Sequence, residues 1–154
     1  HCVFDHSGKF LYVINEMGNT IYSYAYDDKQ GVLTEIQIIS TIPQNYHEHT
    51  TTSAIKVHPN GNFLYGSNRG HDSLATYKIN HENGLLELVA IQSTLGRVPR
   101  DFDFTPDGKF LVVANQESNN LIVFRVDGDT GLFYEVSRVN DVFTGTCVKI
   151  YEMD

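Results

Sequence analysis

With 154 residues, 41% hydrophobic and 19% charged, the chain has the composition of an ordinary globular protein. Its formal charge of −8 argues against a general nucleic-acid surface, which needs a basic patch to neutralise phosphates, so an anion would have to meet a local cluster of arginines. No apolar run approaches the ~18 residues of a membrane span, and the opening at His1 has no charged-then-apolar leader. Cys2 and Cys147 are therefore expected as free, mostly buried thiols in a cytoplasmic protein.

From the start of the chain, residues 2–6, 10–14, 20–26 and 32–39 are predicted as four short strands, rich in β-branched and aromatic residues. Asp5-His6-Ser7-Gly8 turns between the first two, and Asp27-Asp28-Lys29-Gln30-Gly31 makes the hairpin between the last two. The same succession returns at 54–58, 63–67, 74–79 and 85–92, with His58-Pro59-Asn60-Gly61 and His81-Glu82-Asn83-Gly84 as its turns. It returns again at 101–105, 110–114, 121–126 and 132–139, with Thr105-Pro106-Asp107-Gly108 and Gly128-Asp129-Thr130-Gly131. In the second and third copies, Pro stands where φ is fixed and Gly where a positive φ is wanted.

Gly8, Gly61 and Gly108 lie 53 and then 47 residues apart, and these offsets also carry Asn15 to Asn68 to Asn115 and Gly31 to Gly84 to Gly131. A period of this size, with four strands per unit and no helical periodicity, predicts an all-β propeller with units at 1–53, 54–100 and 101–145. An open sandwich is the competing architecture. Residues 146–151 (Thr-Cys-Val-Lys-Ile-Tyr) are expected as a lone closing strand. Three blades and one strand do not close a ring of ~4–8 blades, so further blades are expected upstream of His1. Exposed blade faces would otherwise drive self-association.

What differs at an equivalent position is where chemistry is sought. After the shared Asn the copies read Glu16, Arg69 and Gln116, predicted to leave equivalent corners on one face around the axis. The connection into the third unit brings Arg100 to the same face, and His71 and Asp72 follow Arg69 by one short loop. A carboxylate beside two guanidiniums suits anion binding and water activation. His47 and His49 would need a third ligand to hold a metal, and His1, His6, His58 and His81 are expected as turn or surface residues.

The segments Tyr12-Val13-Ile14-Asn15-Glu16, Ser67-Asn68-Arg69-Gly70-His71-Asp72-Ser73, Pro99-Arg100-Asp101-Phe102, Ala114-Asn115-Gln116 and Cys147-Val148-Lys149 resemble the seven-bladed lactonase propellers. That family includes bacterial 6-phosphogluconolactonase and fungal carboxy-cis,cis-muconate cyclase. The resemblance implies a fragment comprising the C-terminal three blades. It also implies a site shared by a His of an earlier blade, an Arg just upstream of His1, Glu16 and Arg69. Phe143-Thr144-Gly145 replaces a proline-containing segment usual before Cys-Val.

The resulting assignment has Glu16, Arg69 and His71 as catalytic and Arg100, Asp72, Gln116 and Asn68 as substrate-binding, with no metal and no cofactor. The expected partner is a small anionic sugar lactone, and the expected reaction is hydrolysis of 6-phospho-D-glucono-1,5-lactone in the pentose phosphate pathway. A muconate-type lactonising enzyme and a non-catalytic binding propeller are the alternatives.

Overall fold

A computed structural model describes residues 1–151. Among these residues, twelve strands form three separate four-stranded antiparallel sheets. Blade 1 holds β1 (Cys2–Phe4), β2 (Phe10–Asn15), β3 (Thr20–Asp27) and β4 (Val32–Ser40). Blade 2 holds β5 (Thr51–Val57), β6 (Phe63–Arg69), β7 (Ser73–Ile79) and β8 (Leu86–Ser93), and blade 3 holds β9 (Pro99–Phe104), β10 (Phe110–Asn115), β11 (Asn120–Val126) and β12 (Phe133–Asn140). Strand order within each sheet follows the chain, so each blade is a meander of tight turns, as the repeat predicts. Gly8, Gly61 and Gly108 adopt φ of 71°, 79° and 70°, the left-handed geometry for which each repeat supplies a glycine.

The core lies between blades. Phe10, Tyr12, Ile14 and Ile21 of blade 1 pack on Ile55, Leu64, Ala75 and Tyr77 of blade 2. On the other side Phe63, Tyr65 and Leu74 pack on Phe102, Leu111, Ile122 and Phe124 of blade 3. Covered on both faces, β6 is buried at six consecutive positions, whereas β12 is exposed at all but its first. Burying each such Phe or Leu stabilises by about 1.5–3 kcal/mol.

Polar bonds fix the spacing of the blades. The phenol of Tyr12 donates to the Gly84 carbonyl at 3.1 Å, and Tyr65, one repeat later, donates to Gly131 at 2.7 Å. Gly66 has no Cβ where one would stand 2.9 Å from the Ile14 side chain, which lets blade 1 press on the centre of blade 2.

Two expectations change. Residues 146–151 form no strand; instead the amides of Val148 and Ile150 donate to the carboxylates of Asp101 and Asp103 at 2.9 and 3.3 Å. Side-chain acceptors on β9 thus take the place of a ladder. Cys2 and Cys147 are free, as expected, but exposed rather than buried, because β1 is an edge strand and Cys147 lies in that ladderless segment.

Candidate active site

Each blade turns from its second to its third strand through a corner of common design. Asn19, Asp72 and Asn119 occupy the same register in the three blades, and all have positive φ, at 50°, 54° and 53°. Short polar side chains of this kind tolerate the left-handed region. Each backbone carbonyl accepts from the chain leaving its own blade, namely Thr41, Thr94 and Val142. Each side chain grips the chain entering the next: Asn19 donates to the Thr50 carbonyl at 3.1 Å, Asp72 accepts from the Val98 amide at 2.8 Å, and Asn119 accepts from Thr144 at 3.0 Å.

The shared asparagines serve the same crossovers. Asn68 donates to the Thr41 carbonyl at 2.8 Å and Asn115 to Thr94 at 3.0 Å, while Asn15 reaches Thr20 at 3.4 Å. Asn68 is fully buried, and the expectation that it touches substrate gives way to a role in joining blades. Asp72 is occupied likewise, since its Oδ1 accepts from both Gly70 and Val98. Gly70, at φ 102°, sits so close to His49 that a Cβ would stand 2.5 Å from its carbonyl oxygen, which presses the corner against the incoming loop.

On this frame Glu16 and Arg69, from adjacent corners, form an ion pair through Arg69 Nη2. Arg69 Nη2 also donates to the Thr52 carbonyl at 3.0 Å. Its Nε is buried without a partner among the described residues. The carboxylate remains largely open, with 65% of its side chain exposed against 20% for Arg69. The hydrogen bond from Arg69 and its charge hold the Glu16 carboxyl below the usual glutamate range, with Arg100 adding in the same direction. Glu16 is thus an ionised acceptor at neutral pH.

Arg100 arrives by a different device. Pro99 pairs with Asn115 and Asp101 with Ala114, so Arg100 is the extra residue of a bulge in β9. Blade 2 is also irregular here: Thr52 pairs with Asn68 and Ile55 with Gly66, leaving Ser53 and Ala54 opposite Ser67 alone. Bulges re-aim side chains. A cavity of about 60 Å³ results, lined by His1, Ile14, Glu16, Thr52, Ser53, Arg69 and Arg100.

The structure therefore brings together Glu16, Arg69 and Arg100, and places His71, Asp72, Gln116 and Asn68 outside this lining. His71 hydrogen-bonds Ser73 at 2.7 Å, and its ring stands nearly perpendicular to that of Tyr46 with the centroids 4.6 Å apart. Gln116 is held by its backbone amide, which donates to Val98 at 2.9 Å. His1, expected as an ordinary turn or surface residue, is in the lining, and so are Thr52 and Ser53, from the connection expected on this face but not assigned to the site. The signal for Ser53 was present, because it stands 47 residues before Arg100 and so at the same repeat position. No cluster of three potential metal ligands occurs among the described residues.

Three propeller blades that direct two arginines and a glutamate to one cavity define a class: a β-propeller with a charged cavity at one end of its blades. The chain belongs to the seven-bladed lactonase β-propeller family, whose model matches residues 1–150. It is 38% identical over 149 residues to the 6-phosphogluconolactonase of Bacillus subtilis, covering 97% of this chain and 43% of that protein. A crystal structure of a putative 6-phosphogluconolactonase from Bacteroides fragilis superposes with a TM-score of 0.90 at 36% identity, over 99% of this chain and 41% of that one. The periplasmic gluconolactonase of Pseudomonas aeruginosa superposes at 0.88 with 31% identity, over 94% and 40%. The chain thus spans less than half the length of the relatives it matches.

Proposed function

We propose that the protein hydrolyses a sugar lactone, 6-phospho-D-glucono-1,5-lactone, to 6-phosphogluconate, and that Glu16, Arg69 and Arg100 are this chain's share of the site. The observation that carries the reading is the convergence of these three side chains on one cavity from two corners and a bulge. Kinship with proteins named for this activity supports the substrate class.

In the reaction, Glu16 accepts a proton from water as the water oxygen bonds to the lactone carbonyl carbon. The carbonyl electrons move onto oxygen, where a guanidinium stabilises the oxyanion. Collapse breaks the ring C–O bond, and the departing alkoxide takes up the proton that Glu16 had accepted, which gives the open hydroxy acid and returns Glu16 to its ionised form. Because Arg69 keeps its basicity low, Glu16 contributes mainly a fixed, ionised acceptor that orients the water.

The cytoplasmic placement and the pentose phosphate pathway belong to the same proposal. They rest on two free, exposed thiols, a state favoured in a reducing compartment, and on the phosphorylated substrate. Exposed apolar side chains on β12, among them Tyr134, Val136 and Val139, support association with further blades or a second copy.

The test is a lactone-hydrolysis assay of the natural full-length protein with phosphorylated and unphosphorylated gluconolactone, alongside Glu16→Gln. Turnover of the phosphorylated lactone is expected, with a loss of about 10²–10⁴-fold in the variant. Wild-type turnover that survives Glu16→Gln intact would remove Glu16 from the chemistry.

A further inference from the structure

Ser53 and Arg100 stand at the same position of successive blades, both in irregularities of the innermost strand, and both line the cavity. They are also bonded to each other. The Ser53 hydroxyl donates to the backbone carbonyl of Arg100 at 2.6 Å and accepts from Arg100 Nη1 at 2.5 Å. One buried oxygen therefore bridges the two ends of the same arginine, with its single proton committed to the carbonyl and a lone pair to the guanidinium. An arginine clipped at both backbone and tip keeps one of its many side-chain conformers.

We propose that Ser53 is a positioning residue of the active site, acting through Arg100 by holding its guanidinium at the cavity before substrate arrives. The inference rests on the hydrolytic reading above for its kinetic consequence, but its structural content does not. An arginine fixed in advance loses less freedom on binding an anion, which strengthens the complex without a new contact. A hydroxyl serves here because the carbonyl needs a donor and the guanidinium an acceptor, which alanine does not supply and a second arginine would oppose by charge. The same repeat position thus carries the ligand-facing group in blade 3 and the group that aims it in blade 2.

Two measurements on the natural full-length protein decide the matter. In a double-mutant cycle of Ser53→Ala and Arg100→Gln, Ser53→Ala alone should raise KM for the phosphorylated lactone about tenfold, with kcat changed less than about twofold. In the Arg100→Gln background the same change should do nothing further to KM. Equal KM effects in both backgrounds, or none in either, would overturn the proposal, since a residue that merely supports the strand acts regardless of the arginine. Independently, nitrogen NMR of the arginine side chains should show distinct Nη signals for Arg100 in the wild type, merging in Ser53→Ala as the guanidinium rotates freely. An averaged Arg100 signal in the wild type would by itself refute the clip. A wild type inactive on every lactone would refute the hydrolytic reading, and the NMR result would still decide the role of Ser53.

Discussion

The corners of blades 2 and 3 share a backbone and differ in purpose. Asp72 and Asn119 take the same left-handed conformation, and each hydrogen-bonds the chain entering the next blade. The asparagines before them, Asn68 and Asn115, donate to equivalent threonine carbonyls. Yet at the next position Arg69 reaches Glu16 and the Thr52 carbonyl, while Gln116 is not among the residues lining the cavity. A repeat can therefore keep its joints constant and vary its chemistry at one position beside them, because the joints are made by short polar side chains and the site by long charged ones.

Arg69→Lys should break this comparison hardest. It keeps the charge but loses the planar guanidinium whose Nη2 meets both Glu16 and the Thr52 carbonyl. If the guanidinium stabilises the oxyanion, turnover should fall by about 10²–10³-fold on phosphorylated and unphosphorylated lactone alike. If it holds the phosphate equally in both states, KM should rise on the phosphorylated lactone alone. Gln116→Ala at the equivalent corner is expected to change steady-state activity by less than about twofold. A comparable loss in both variants would mean that the corners are not chemically distinct.

Asp72→Ala addresses the shared joint. It removes the acceptor for the Gly70 and Val98 amides, and leaving the part-buried Val98 amide unmet costs about 1–3 kcal/mol, readable as a lower denaturation midpoint. Asn119→Ala, which strips the acceptor from Thr144, should resemble it more than either resembles Arg69→Lys. A loss of kcat at unchanged stability in Asp72→Ala would restore that residue to the chemistry.

The smallest effect concerns pH. Arg69 holds the Glu16 carboxyl low, so Glu16 stays ionised until pH falls through that lowered value. The acid limb of kcat/KM should lie below the ordinary glutamate range, and Arg69→Gln should move it upward toward that range in whatever activity remains. The same sign holds for stability: the ion pair contributes above the ordinary glutamate pKa and is lost as pH falls through the lowered one. With Glu16 this exposed, that contribution is small and is screened by salt.

The blades, their turns and the residues that would carry charge at the corners were determined by the sequence alone. Four strands and two glycine turns recur at fixed offsets, and strand alternation and turn chemistry are local properties. Even the left-handed Asn19, Asp72 and Asn119 obey those offsets, although Asp72 resembled a ligand-binding residue because a carboxylate near an arginine has the same composition in either role. Only the tertiary structure decided which polar residues face the cavity. Asn68 and Asp72 were drawn into the joints because an unmet backbone group between packed blades is costly, and His71 turned to Ser73. Ser53 and Arg100 share a repeat position that the sequence shows, but their contact was made by bulges, which arise from pairing between strands. The segment 146–151 read as a strand from composition, but without a neighbouring ladder it took the side chains of Asp101 and Asp103 as its acceptors.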